Sequence, residues 1–364
     1  MSKFTKGFSN WFFGRLPEGK ISVGGQAVME GVMMQGPAST AIAVRQVNGK
    51  IVYSTKKTVR LKDKYPILGV PIIRGVVSFI MSLYNGVKTL TDSAAMAGLE
   101  AEEPSKFEKK IAGWLHMKPD DVMMIAAVVI ALVLSIGLFF AVPTAIEAFV
   151  KRFVTGKLLV NLIGGVVRIT MFLLYVYLCS KLKEIRRVFM YHGAEHKSIF
   201  CFENGDELTV ENARKYPRLH PRCGTSFLVI VMLISILMFV LMGNDSSNVF
   251  SRLASRLALL PLVAGVSYEI LQALGRAKDN AVVRALKWPG LMVQKITTAE
   301  PDDEMLEVAL VALKASLGYP KDEILPPEPE PEEVDEGTET PEQQAEEALI
   351  ESELDQEPID NDLT

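Results

Sequence analysis

Three of the chain's four histidines lie within 29 residues of one another, at positions 192, 196 and 220. His192 and His196 enclose Glu195 in an H-x-x-E-H pattern, which is typical of one class of metallopeptidase. Residues four apart lie on one face of a helix, so the two imidazoles can bind one metal ion. Glu195 lies on nearly the same face and could take a proton from water held by that metal. The pattern predicts a divalent metal site, with zinc expected, in which Glu195 is the general base.

A second pair of potential ligands, His220 and Cys223, follows in a segment whose proline and glycine predict a turn. Imidazole and thiolate both bind zinc, so four side chains could form a closed, structural site. Alternatively, three of them bind the metal and leave one position for water, as in a catalytic site. The pattern also allows no metal, with the histidines hydrogen-bonded at the membrane surface and the cysteine buried. Residue spacing does not decide among these arrangements.

The elements that must position these residues are long and apolar. Four segments contain at most one charged residue each: 122–146, 158–180, 224–244 and 257–275. Each can cross a bilayer core of ~30 Å as a helix. The sequence therefore predicts an α-helical integral membrane protein with about four transmembrane helices, a small N-terminal β-hairpin region and a disordered acidic C-terminal tail.

Two of these segments carry an ionisable residue, Arg168 and Glu269 respectively. Ionisable groups at membrane depth are costly and usually face a partner or a cavity. An ion pair between these two residues is one reading. In the other, Glu269 reaches the histidine loop as an additional, distal metal ligand.

Basic residues predict the orientation of the chain in the membrane. Seventeen precede the first span and nine lie in 181–222, whereas the two other loops hold three and two. Because basic loops stay on the cytoplasmic side, both termini and the histidine loop are expected there. The chain is thus predicted to be a multi-pass protein of the bacterial plasma membrane.

Seven regions follow from this pattern. They are a cytoplasmic glycine-rich and hairpin region (1–65), an interfacial or re-entrant helix with its linker (66–120), the first two spans (121–180), the cytoplasmic His/Cys loop (181–223), the last two spans (224–275), a cytoplasmic segment (276–318) and the acidic tail (319–364). Whether 66–97 lies on the membrane or forms a fifth span is left open, because polar residues interrupt its apolar ones.

The N-terminal region combines a hairpin with a glycine-rich block. Alternating residues on either side of Asn48-Gly49 predict the hairpin over 41–61. The block ahead of it includes Gly24, Gly25, Glu30 and Gly31. Glycine permits close backbone approach, so these residues are expected near a ligand or another segment.

Charge is divided unevenly along the chain. Residues 319–364 hold 18 acidic residues and one basic residue, a net −17 against −4 for the whole, so the rest carries +13. A basic, apolar body excludes an ordinary soluble acidic enzyme and a fully disordered protein. No nucleic acid is expected as a partner, since the basic charge lies where membrane orientation requires it. The lipid bilayer is the expected partner.

Several blocks resemble the signature segments of the bacterial YqhQ family. They are Gly24-Gly-Gln-Ala-Val-Met-Glu-Gly-Val-Met-Met-Gln-Gly-Pro37, Tyr191-His-Gly-Ala-Glu-His-Lys197, His220-Pro-Arg-Cys-Gly-Thr-Ser-Phe227, Ser267-Tyr-Glu269 and Thr297-Thr-Ala-Glu-Pro-Asp-Asp303. The resemblance covers residues 20–318 and leaves out the acidic tail. It implies an integral membrane protein from a family of unknown function that is labelled a metal-dependent enzyme, and it supplies no reaction.

Three function classes remain. The first is a membrane zinc hydrolase with a cytosol-facing site and an unknown substrate. The second is a non-enzymatic scaffold or assembly factor whose metal is structural, docking a protein partner or anionic lipid. The third is a transporter lined by Arg168 and Glu269. Peptidases with the H-x-x-E-H pattern are large soluble proteins, and here the motif lies between membrane segments, so peptidase activity is only one option. The sequence does not define the oligomeric state.

Overall fold

The computed structural model describes residues 23–37, 39–58, 66–99, 110, 112–114, 117–154, 156–242, 249–277 and 280–325. The predictions for the acidic tail beyond residue 325 and for the first 22 residues lie outside this part of the chain. Within it, a small antiparallel sheet precedes a series of helices. The predicted combination of a helical body with an N-terminal β region is therefore confirmed at this level.

The sheet is a meander of four strands in sequence order, namely β1 (Gly24–Val28), β2 (Gly31–Gln35), β3 (Ser39–Arg45) and β4 (Ile51–Lys57). The predicted hairpin is confirmed as β3 and β4, with Gly49 at a φ of 82° in the turn. The glycine-rich block forms β1 and β2. Glu30, at a φ of 50°, lies in the two-residue turn between them.

The helices follow in chain order. They are α1 (Ile73–Met96), α2 (Pro119–Ile136), α3 (Val142–Val150), α4 (Lys157–Cys179), α5 (Lys183–Asn204), α6 (Val210–Arg214), α7 (Thr225–Met242), α8 (Val249–Arg276), α9 (Ala281–Thr297), α10 (Asp303–Leu317) and α11 (Lys321–Ile324). A π-helical segment, Gly137–Ala141, joins α2 to α3.

Among the described residues, three helical stretches are long and apolar enough to cross a membrane. They are Val122–Val150, through α2 and α3, Leu159–Cys179 in α4 and Leu253–Leu274 in α8. The fourth predicted span corresponds to α7, whose apolar stretch, Phe227–Leu241, is shorter. Apolar side chains point outward from these helices, as Val133 and Leu134 do with 62% and 66% exposed. Such a surface fits contact with lipid.

A separate core joins the sheet to α5 and α10. Val32 and Met34 from β2 and Ala41 and Ala43 from β3 pack with a nearly continuous row of buried residues along α10. That helix begins where the Asp302 side chain accepts a hydrogen bond from the backbone of Met305, and it ends at the left-handed Gly318. The sheet, α5 and α10 therefore form one packed unit.

The predicted ion pair between Arg168 and Glu269 is wrong. Arg168 lies 3.8 Å from Glu147 of α3, while Glu269 makes two hydrogen bonds with Arg74 of α1. The second cation beside Glu147 is Arg256, which lies on α8, the same helix as Glu269. Arg256 and Glu269 are 13 residues apart on α8, about 20 Å along the helix axis, so Glu269 cannot share this cluster.

Helix α1 connects the sheet to α8, one of the helices that are long and apolar enough to cross a membrane. A side chain added at Gly75 would lie 2.9 Å from the Cα atom of Gly265, near the middle of the α8 stretch. At the other end, the hydroxyl of Ser93 accepts a hydrogen bond from the backbone of Met29, at 3.2 Å. The helix therefore runs from mid-α8 to the sheet.

Candidate metal centre

Helix α5 carries His192, Glu195 and His196, with the two histidines one helical turn apart, as the spacing predicts. It ends at Gly205, whose φ of 80° is a left-handed conformation that glycine adopts readily. The centroids of the two imidazole rings are 4.4 Å apart. One helix face thus presents both rings to the same space.

Cys223 approaches these rings from the turn that precedes α7. Its Sγ atom lies 3.1 Å from Nε2 of His192. One donor atom each from His192, His196 and Cys223 falls within 4.8 Å of the other two. Tetrahedral zinc with its usual bond lengths spaces such donors about 3.3–3.6 Å apart, so side-chain shifts of about 1 Å would place all three on one ion.

Backbone carbonyls fix how the two imidazoles are turned. Nδ1 of His192 lies 2.8 Å from the carbonyl oxygen of Thr297, and Nδ1 of His196 contacts the carbonyl of Arg218. A proton on each Nδ1 leaves Nε2 as an unprotonated donor atom. Nε2 of His196 is buried and has no hydrogen-bond partner among the described residues. Metal-binding histidines are commonly held in this way, so these residues fit a divalent metal.

The pKa shifts of His196 and Cys223 each run in the direction that metal binding requires. Burial lowers the pKa of His196, which keeps the imidazole neutral. Burial by itself would raise the pKa of the Cys223 thiol, but the adjoining His196 imidazole and hydrogen bonds from Thr225 hold it below its ordinary value. A neutral imidazole and a thiolate are the forms in which these side chains bind zinc.

His220 is not one of the three grouped donors, although its ring centroid lies 5.5 Å from that of His196. Its Nε2 faces Glu203 at 3.4 Å, and its Nδ1 accepts a hydrogen bond from the backbone of Arg222. The side chain of Gln294 on α9 bonds both backbone groups of His220, at 2.8 and 2.9 Å. Residue 220 therefore fixes the turn that carries Cys223, while its ring nitrogens point to other partners.

Glu195 is buried, with 5% of its surface exposed. Burial raises the pKa of this carboxyl to about 8, against a smaller lowering by His192. Gly25 of β1 makes room for it, because a Cβ atom there would lie 2.7 Å from Oε1 of Glu195. The predicted close approach by the glycine-rich block thus occurs at Gly25, and what it approaches is the candidate base.

The other residues of the block have different surroundings. Gly24 has no atom within 4 Å of the position that a Cβ would take. Glu30 pairs with Arg187 of α5 at 2.7 and 2.5 Å, and Gly31 packs tightly against β3. The contacts described for these three residues do not include the donor atoms.

A cavity of about 550 Å³ opens beside the donors. His192, Glu195 and Cys223 line one part of it, together with residues of β1, α1, α7 and α8. A volume of this size is ordinary for a small-molecule site. The candidate base and two of the three donors therefore face the same space.

Sequence reasoning missed the residues that orient the donors. Arg218 and Thr297 act through their carbonyl groups and Gln294 through its amide, which spacing alone does not reveal. Gly193 was also missed, although a Cβ there would lie 2.2 Å from the carbonyl oxygen of Ala299. One signal could have pointed to Thr297 and Ala299. The block that begins at Thr297 resembles a signature segment of the family, although this resemblance gave the block no chemical role.

Fold and site together define a largely helical protein with candidate membrane spans, a small sheet and a His/Cys cluster. A family model described as "Protein of unknown function (DUF1385)" matches residues 70–319. The chain is 33% identical over 298 residues to the "Uncharacterized protein YqhQ" of Bacillus subtilis (strain 168), covering 81% of this chain and 92% of that protein. The chain therefore belongs to the YqhQ family. No solved structure matches it significantly.

Proposed function

We propose that this protein is a membrane-embedded, metal-dependent hydrolase with three protein ligands, His192, His196 and Cys223. The observation that carries the proposal is the buried, unpartnered Nε2 of His196, which lies among donor atoms within 4.8 Å of one another. Leaving a buried acceptor unsatisfied is costly, and a metal ion would satisfy it. Zinc is the expected ion for two imidazoles and a thiolate.

Three ligands favour catalysis over a purely structural role. His220 is engaged by Glu203, so a fourth coordination position is left for water or substrate, as in catalytic zinc sites. When bound, zinc would lower the pKa of water and polarise a carbonyl or phosphoryl oxygen. Glu195 lines the same cavity, and a carboxyl with a pKa of about 8 is suited to exchange protons near neutral pH.

A four-span topology is part of the proposal. Helices α5 and α10 pack in one core, so the chain between them must cross the membrane an even number of times. That stretch contains α7 and the candidate span in α8. If α8 crosses, α7 must cross too, and its 18 residues extend about 27 Å. The sheet, α5 and α10 would then share one side.

We propose further that this common side is the cytoplasm and that the membrane is the bacterial plasma membrane. Basic residues support it, since Lys183, Arg186 and Arg187 open α5 immediately after the α4 span. The packing of α1 from mid-α8 down to the sheet supports a re-entrant helix for the 66–97 region.

One observation favours a non-catalytic scaffold as a second candidate. The two imidazoles bond to the backbone at Arg218 and at Thr297, so a metal there would tie α5 to two other segments. A structural metal would stabilise the fold without needing the cavity or Glu195.

Two substitutions distinguish these functions. Glu195→Gln keeps the size of the side chain but removes its basicity, so metal content should persist while growth of a strain that depends on this protein fails. A lost general base typically costs ~10²–10⁴-fold in rate. His192→Ala removes a ligand and should lose both metal and growth. Metal is measured by elemental analysis of the purified protein. Normal growth with Glu195→Gln, alongside failure with His192→Ala, would make the metal structural.

A further inference from the structure

The cavity beside the donors changes character along its length. His192, Glu195 and Cys223 line one part. The remaining lining is dominated by apolar side chains, among them Phe79, Leu83, Val188, Phe189, Leu228 and Leu271. No lysine or arginine occurs among its described lining residues. A polar site thus continues into an apolar compartment without a cationic clamp for a free anionic metabolite.

The apolar part reaches the surface between α1 and α7. Leu83 of α1 is 56% exposed and Leu228 of α7 is 47% exposed, and both line the cavity. Just inside, the rings of Phe79 and Phe227 lie 6.0 Å apart, one from each helix. The mouth is therefore flanked by two exposed leucines, which water disfavours and lipid does not.

The position of the mouth along α7 agrees with entry from the bilayer. Cys223 lies two residues before α7, whose apolar stretch begins at Phe227. Leu228 lies in the first turn of α7, about 5 Å along the helix axis from its first residue, Thr225. The donors thus lie at the end of an apolar helix, at the depth of lipid headgroups if α7 crosses the membrane, and the mouth lies on the hydrocarbon side of them.

We infer that the substrate is a membrane lipid that enters laterally between α1 and α7. Its polar group reaches His192, Glu195 and Cys223, and its hydrocarbon chain extends past Leu83 and Leu228 into the bilayer. Hydrogen-bonding side chains along the cavity, Gln26, Ser78, Ser82 and Thr225, are neutral and suit an uncharged headgroup portion. This inference rests on the proposed function for its reaction but concerns access and substrate class.

Photo-crosslinking in a bilayer tests the inference. The full chain is reconstituted in vesicles of phosphatidylethanolamine and phosphatidylglycerol that contain a trace of phospholipid with a diazirine on its acyl chain. We expect cross-links at cavity residues such as Phe189 and Tyr268 as well as on the outer helix faces. Leu228→Trp fills the mouth and should reduce the cavity cross-links several-fold while leaving those on the outer faces.

Leu237→Trp is the matched control, because Leu237 lies on the same helix, is 52% exposed and does not line the cavity. It should leave the cavity cross-links unchanged. Leu83→Trp closes the mouth from α1 and provides a second test if Leu228→Trp fails to assemble. Cross-links confined to the outer faces, or cavity cross-links that neither mouth variant reduces, would overturn lateral lipid entry.

Metal content measured on the same samples separates this inference from the proposed function. Bound metal without cavity cross-links would leave the metal site standing and remove the lipid substrate. Cavity cross-links without metal in the unaltered protein would support lipid entry and remove the hydrolase.

Discussion

At the scale of single residues, the partners of each ring nitrogen separate the histidines into two groups. His192 and His196 bond through Nδ1 to backbone carbonyls and turn Nε2 toward Cys223. His220 engages both ring nitrogens elsewhere, with Glu203 and with the backbone of Arg222. Residues that the H-x-x-E-H and H-x-x-C patterns treat alike therefore have different chemical surroundings.

Substituting these residues should reveal how many ligands the metal has. Cys223→Ser removes a thiolate donor and should lower zinc content as severely as His192→Ala, whereas His220→Gln should retain zinc because residue 220 is outside the donor cluster. Elemental analysis of purified protein measures the ratio of zinc to chain. Equal loss of zinc from His220→Gln and Cys223→Ser would indicate a closed four-ligand site.

The two glycines of β1 form a matched pair. In Gly25→Ala the new methyl group would lie 2.7 Å from Oε1 of Glu195, whereas Gly24→Ala meets no atom within 4 Å. We expect Gly25→Ala to displace the carboxylate and impair growth, with metal retained, and Gly24→Ala to behave as the unaltered protein. Complementation and metal analysis are the measurements. Full growth with Gly25→Ala would mean that the position of Glu195 is not critical.

At the scale of elements, a buried polar cluster joins the four helices α3, α4, α7 and α8. Glu147 of α3 is 1% exposed and accepts a hydrogen bond from Arg256 of α8, while Arg168 of α4 lies 3.8 Å from Glu147. Both guanidinium groups lie within 5.2 Å of the Phe239 ring centre on α7. One carboxylate therefore balances two cations where four helices meet.

Removing that carboxylate should damage assembly more than removing an exposed one. Glu147→Gln leaves two buried cations without a counter-charge, and breaking a buried pair in this way typically costs ~3–5 kcal/mol. We expect lower membrane accumulation and a lower thermal midpoint in detergent. Glu184→Gln, in the first turn of α5 and exposed, is the control. Removing one cation as well, in Glu147→Gln with Arg256→Gln, should recover part of the loss; no recovery would show that charge balance is not the cause.

At the scale of the whole molecule, the shared core of the sheet, α5 and α10 constrains the topology. Segments before, between and after the membrane-type helices meet in that core. Every excursion into the membrane must therefore return to the side from which it began. This requirement is independent of the count of basic residues. It puts the sheet, α5 and α10 on one common side of the membrane, and the basic residues alone support the proposal that this side is the cytoplasm.

Accessibility of single cysteines tests the orientation. Phe153→Cys, in the exposed segment after α3, should react with an impermeant maleimide in intact cells. Glu211→Cys, on α6 with 83% of its side chain exposed, should react only after the cells are opened. The native cysteines are first replaced by serine or alanine, with Cys223 restored as a control for folding. Labelling of Glu211→Cys in intact cells would place the metal centre outside.

Local sequence determined much of this protein. The hairpin, the apolar helices and the helical face that holds His192 and His196 follow from periodicity and turn chemistry, which act over a few residues. The positive charge of the body and the length of its apolar segments were enough to predict a membrane-type helical protein. Each of these features depends on neighbours in the chain.

Only the tertiary structure decided which distant residues meet. Gly25 and Glu195 are 170 positions apart, and no local pattern shows that one must lack a side chain to admit the other. The partner of Glu269 proved to be Arg74, because the order of groups along α8 separates it from Arg168. Likewise, Gln294 bonds the backbone of His220, 74 positions earlier in the chain. Such contacts depend on how helices pack, and packing is set by side chains that lie far apart in the sequence.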